Sequence, residues 1–150
     1  MCVCVCVCVC VCVYIFYKLN RVNNKIKYIK YTEDKTGMTI ALPCQVPSNN
    51  NPIVAVEWSR RDLEPEYVLF YRDNKLVPDY QHPSFKNRVD LKDRQMKDVS
   101  LILKDVTTDD AGAYECHVVQ RESLGWEIAS PKSRHISTIY LSVVPGRQPF

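Results

Sequence analysis

The sequence predicts an all-β fold, a sandwich of two antiparallel sheets. Two observations carry that prediction. From Met38 onward, short β-type segments, most with one apolar face, follow one another between turn signals. No stretch shows a sustained helical period. Many short strands that each need one face covered are the signature of two layered sheets.

The chain has 150 residues, enough for one domain with its own core. Its net charge of +3 is unevenly placed. Lys18, Arg21, Lys25, Lys27, Lys30 and Lys35 crowd one stretch, and only Glu33 and Asp34 oppose them. From Thr36 onward the charge is close to balanced, which argues against a nucleic-acid face.

The first segment, residues 1–17, is an apolar run in which six cysteines alternate with valine. Thiolates suit soft metals, but alternating valine gives a stiff extended chain that does not wrap an ion. As a strand it would be a charge-free edge prone to aggregation. As a signal peptide it lacks a preceding basic residue and a small-x-small cleavage site. As a signal anchor it would hold the rest of the chain in the cytosol, because the basic cluster follows it. An alternating T–G tract, read in frame, yields Cys-Val without end. The run therefore reads as a translated dinucleotide repeat, or a pseudo-signal, with no function of its own.

Residues 18–35 read as a basic linker, with a weak first strand around Lys27 to Tyr31. Residues 36–145 hold the folded domain, and 146–150 are a C-terminal stub. Within the domain, "MTIALPC" puts Met38, Ile40, Leu42 and Cys44 on one face. "IVAVEWSR" puts Val54, Val56 and Trp58 inward and Ala55, Glu57 and Ser59 outward. "YVLFYRDNK" is a strand entering an Asp73-Asn74 turn. "RVDL" is a short strand, and "VSLILKDV" turns Val99, Leu101 and Leu103 inward. "AYECHVV" puts Tyr114, Cys116 and Val118 inward and Glu115, His117 and Val119 outward. "STIYLSVV" places Ile139, Leu141 and Val143 together.

Beyond the opening run only Cys44 and Cys116 remain. So isolated a pair is the arrangement of one bridge in a secreted or cell-surface domain, and lacks the close spacing of zinc ligands. Trp58 follows Cys44 by fourteen residues, and Tyr114 precedes Cys116 by two.

This Cys…Trp…Cys spacing with a tyrosine corner resembles an immunoglobulin domain. "DDAGAYEC" resembles the D-x-G-x-Y-x-C signature of the V type, matched by Asp110, Gly112, Tyr114 and Cys116. The resemblance implies a V-type sandwich of Greek-key sheets with an inter-sheet Cys44–Cys116 disulfide. It implies that Trp58 fills space against that bridge and that Arg88 pairs with Asp110. A bridge closing roughly 70 residues is worth about 4 kcal/mol in the chain-entropy account. The interval between Trp58 and Arg88 leaves room for the two extra strands of the V type. The first strand before Cys44 is poorly represented.

Within V-type domains the stretch from about Thr36 to Pro145 is similar to the butyrophilin and myelin-oligodendrocyte-glycoprotein group, including fish proteins that resemble T-cell costimulatory ligands. The resemblance implies a domain on the external side of the plasma membrane, with its anchor outside this chain. It would bind a protein receptor on another cell, such as a lymphocyte, and modulate T-cell receptor signalling and cytokine production. A homophilic or heterophilic adhesion module is the alternative. The last strand, "STIYLSVVPG", lacks the F-G-x-G of a rearranged receptor, and the sequence has no N-x-S/T sequon.

No catalytic constellation is present, and His82, His117 and His135 fall on different segments. No cofactor, metal, nucleic acid or small-molecule substrate is expected. Binding is expected on the sheet formed by the third, sixth and last strands, at Glu57, Ser59, Glu115, His117 and Val119. Tyr67, Leu69 or Tyr71 would lie beside them, as register decides. The loop "QRESLGWEIASPKSR" adds Arg121, Trp126, Lys132 and Arg134, since aromatic and Arg residues on loops are common interface anchors. Trp126 could equally fold back over the sandwich edge.

Overall fold

The computed structural model describes residues 26–33, 38–93, 95–124, 127, 128 and 130–145. The opening Cys-Val run, Trp126 and the 146–150 stub lie outside them. The strands are β1 (Ile26–Glu33), β2 (Ile40–Leu42), β3 (Ile53–Arg60), β4 (Leu69–Arg72), β5 (Lys75–Leu76), β6 (Val89–Leu91), β7 (Leu101–Leu103), β8 (Gly112–Gln120), β9 (Ser123–Leu124), β10 (Glu127–Ile128) and β11 (Lys132–Pro145). One sheet has the order β1-β11-β8-β3-β4-β5, and the other β2-β7-β6. β9 and β10 pair antiparallel as a small separate sheet. This is the predicted two-sheet sandwich.

Alternation builds the core. Leu42, Val56, Trp58, Leu69, Leu101, Leu103, Val118 and Ile139 are fully buried between the sheets. The Cys44–Cys116 disulfide joins the sheets across Cα atoms 6.5 Å apart. Trp58 lies opposite Cys116 in the β3–β8 register and is fully buried. Its indole N–H donates to the Val99 carbonyl at 2.9 Å, so the buried polar atom is satisfied from the other sheet's side.

Three expectations change. The stretch expected to be linker or a weak strand contains an eight-residue strand. β1 runs parallel to β11, Ile26 beside Thr138 through Glu33 beside Pro145. Its sequence barely alternates because it sits at the sheet edge. Ile29 packs against the core, while Tyr28 is 80% exposed. The sandwich therefore begins ahead of Thr36.

The expected loop from Gln120 to Arg134 is also shorter. Lys132 and Arg134 belong to β11, opposite Gln120 and Val118. The alternation of "STIYLSVV" does not extend back to them, because β11 slips register between His135 and Ser137.

The third change is the register of β4. Val68 and Leu69 are both buried, so strict alternation fails at the strand's entry. Leu69 and Tyr71 face the core, and Tyr71 is only 4% exposed. Tyr71 and Leu69 therefore leave the candidate binding face, and Phe70 and Arg72 take the outward positions. The Asp73-Asn74 turn is as expected. Both residues have positive φ, 51° and 61°, as a tight two-residue hairpin requires.

Candidate functional site

The outward face of the six-stranded sheet is assembled by cross-strand pairs. His117 on β8 lies between Glu57 on β3 and His135 on β11, and Glu57 is followed by Phe70 on β4. The row below is Thr138, Glu115 and Ser59. The row above is Ser133, Val119, Ala55 and Arg72. Glu57, Ser59, Glu115, His117 and Val119 are all half-buried, so the predicted outward set does share one face.

Tyr67 joins them from the connection before β4. Its ring stacks on Phe70 at 5.4 Å, and Tyr80 meets Phe70 edge-on at 6.3 Å. Glu57, Ser59, Tyr67, Glu115 and His117 line an open hollow of ≈ 340 Å³, with Glu64 and Glu66 at its rim. The hollow is acidic. Burial raises the Glu57 carboxyl above its usual range, and the charge of His117 works the other way. Glu115 is paired to Arg61 at 2.7 Å, and the Arg61 guanidinium lies over the Tyr140 ring at 5.9 Å. Tyr28 stacks on Tyr140 at 5.1 Å and extends this side of the face to the sheet edge.

Sequence reasoning missed Phe70, Arg61, Tyr140 and His135. Phe70 is outward because Val68 breaks the alternation before it. His135 lies on the part of β11 before the register slip, where it meets His117 with ring centroids 5.1 Å apart. Arg121, from the expected loop, is exposed just beyond β8, and its N–H donates to the Pro52 carbonyl. Among the described residues no group of three or more His, Cys, Asp or Glu is arranged to hold a metal ion.

The corner that fixes β8 relative to the second sheet has the expected geometry. Arg88 and Asp110 make a two-pronged ion pair, at 2.6 and 3.2 Å. The Tyr114 hydroxyl donates to the Asp110 carbonyl. Asp110 also accepts from the Thr107 backbone N–H at 2.9 Å, so one buried carboxylate holds both the corner and the incoming loop.

An immunoglobulin V-set domain matches residues 30–143. The chain belongs to the immunoglobulin V-set family. Comparison with curated proteins gives no match. In this V-set chain β4 and β5 are the two extra strands that separate the variable from the constant type. V-set membership makes the chain a cell-surface recognition or adhesion module, a kind of domain that works by protein–protein contact and is typically not catalytic. Among the described residues no helix is long and apolar enough to cross a membrane.

Proposed function

We infer that this V-set domain is the recognition module of a cell-surface protein that binds a protein receptor on another cell and modulates T-cell receptor signalling. The observation that carries the binding reading is the aromatic group Tyr67, Phe70 and Tyr80 beside the acidic hollow around Glu57. Aromatic anchors next to a desolvated polar pocket are what protein interfaces use for affinity and register. Support for the T-cell role comes from the resemblance of the stretch from about Thr36 to Pro145 to the butyrophilin group.

Labelled multimers of residues 26–145, offered to lymphocytes, test this reading. Saturable staining that Phe70→Ala weakens is the expected result. Absence of staining together with self-association in sedimentation would overturn it in favour of an adhesion module. That outcome has a physical basis, since the same face carries the acidic hollow at one side and Arg72 beside Lys75 at the other.

A further inference from the structure

We propose that the hollow between residues 46–53 and residues 95–97 binds a neutral sugar residue of a glycan. The hollow lies at the end of the sandwich where β3 begins and β8 finishes. Its volume of ≈ 600 Å³ is in the usual range for small-ligand sites. Its base is a buried polar side chain. β8 turns Tyr114, Cys116 and Val118 inward, and the next inward position is Gln120, 3% exposed. Gln120 Nε2 donates to Asn49 Oδ1 at 2.9 Å and to the Asn51 carbonyl at 3.2 Å. Asn49 Nδ2 donates back to Gln120 Oε1 at 3.3 Å. An amide at a core position costs stability unless it is paired. Here the pairing fixes the Asn-rich loop to the end of β8.

Above that base the polar groups are open. The side-chain amides of Asn50, Asn51 and Gln95 line the hollow and have no hydrogen-bond partner among the described residues. Gln95 is held from behind. Its backbone N–H donates to Asp93 Oδ1 at 2.8 Å, and the Met96 N–H donates to the Asp93 carbonyl at 3.3 Å. Each free amide offers an acceptor oxygen and a donor NH₂, and each sugar hydroxyl both donates and accepts. Two neighbouring hydroxyls can therefore be met by one side chain, the first donating to its oxygen and the second accepting from its nitrogen. Val46, Ile53 and Met96 supply an apolar wall for the C–H face of the ring. Lys97 is the one charged side chain among the described residues of the lining, so the hollow has little to hold a polyanion. A peptide is usually taken by a sheet edge or an apolar groove, and this hollow is walled by two polar loops.

The site is apart from the Phe70 face and does not rest on the receptor-binding reading. The test is a titration of the isotope-labelled full chain with the methyl glycosides of mannose, galactose and N-acetylglucosamine, followed by NMR of the side-chain amides. Saturable shifts of the Asn50, Asn51 and Gln95 NH₂ signals, in the millimolar range and with at least one of these sugars, are expected. Asn50→Ala combined with Gln95→Ala should weaken that binding about ten-fold, as the loss of two ordinary hydrogen bonds would. Both residues are exposed, so the double variant should melt with the parent. Phe70→Ala should leave the sugar titration unchanged. Absence of saturable shifts with all three sugars would overturn the proposal, as would binding that the double variant leaves intact. Shifts produced only by an anionic sugar and lost in Lys97→Ala would replace it with a charge-based site. Shifts produced by a Gly-Ser peptide and by none of the sugars would replace it with a peptide site.

Discussion

Gly112 leaves the space through which the Arg60 side chain passes. A Cβ at position 112 would stand 2.8 Å from Arg60 Cδ and 3.2 Å from Cγ. The arginine cannot swing clear easily. Asp62 accepts from its Nε and Nη2, the Asp109 carbonyl accepts from Nη1, and its guanidinium lies over the Phe85 and Tyr114 rings. Gly112→Ala should therefore destabilise the sandwich by about 1–3 kcal/mol, the usual cost of forcing extra atoms into a packed site. In Arg60→Ala the same substitution should cost less, because the obstructed side chain is gone and only the strain of a side chain at φ +159° remains. Urea unfolding of the four proteins in that cycle measures the coupling. Strict additivity would refute the steric account.

The pair of Arg88 and Asp110 is the second point of leverage. Asp110 is nearly fully buried, and Arg88 is also tied to the Ser84, Lys104 and Asp105 carbonyls. Removing one member of a buried pair leaves the other without its countercharge. Asp110→Ala should cost about 3 kcal/mol, towards the lower end for buried pairs because those carbonyls still receive the guanidinium. It also removes the acceptor for the Thr107 N–H. Arg88→Ala strands the buried carboxylate and should cost at least as much. Denaturant midpoints that shift by less than half of this would show that the corner is held by packing alone.

Tyr114 gives a pH prediction. Burial pushes its hydroxyl from 10.0 up to about 12. The folded state therefore holds this proton more tightly than the unfolded chain does. Below pH 10.0 both states are protonated and the contribution is fully present. Between pH 10.0 and about 12 the unfolded state ionises first, and stability falls as pH rises. Tyr114→Phe should lower stability at neutral pH by about 1 kcal/mol, through loss of the bond to the Asp110 carbonyl. It should also flatten the alkaline limb of the stability curve. Thermal unfolding at a series of pH values reads both effects, and an unchanged alkaline limb would rule out Tyr114 as its source.

The residues that the sequence made legible are those whose chemistry is rare and whose partners are local or fixed by the fold. Cys44, Trp58, Asp110, Tyr114 and Cys116 recur at spacings that leave little choice of position, and Arg88 follows from Asp110. What was not legible depends on register. β1 is an edge strand held by a parallel ladder, with Ile29 packed against the core, and its sequence shows almost no alternation. The meeting of His117 and His135 depends on where β11 slips, a feature of strand pairing with no residue-type signature. Arg60 is buried because Gly112 and the two aromatic rings make room for its stem, and no periodicity announces that.

Neighbouring residues on β4 provide the sharpest test of the face itself. Phe70 points outward between Tyr67 and Tyr80, whereas Tyr71 points inward and is 4% exposed. Phe70→Arg should leave the unfolding midpoint within about 0.5 kcal/mol of the parent, as outward substitutions usually do. It should abolish binding to a receptor that uses the aromatic group, because a charge would replace the central ring. Tyr71→Arg should instead destabilise the sandwich severely, since it places an unpaired charge among Val56, Leu69 and their neighbours in the core. Circular dichroism melts and multimer staining of both variants separate the two effects. A larger loss of stability in Phe70→Arg than in Tyr71→Arg would mean that β4 pairs in the opposite register, with Phe70 in the core. Equal stability but unimpaired binding by Phe70→Arg would move the contact surface away from this end of the sheet, towards Arg61, Tyr140 and Tyr28.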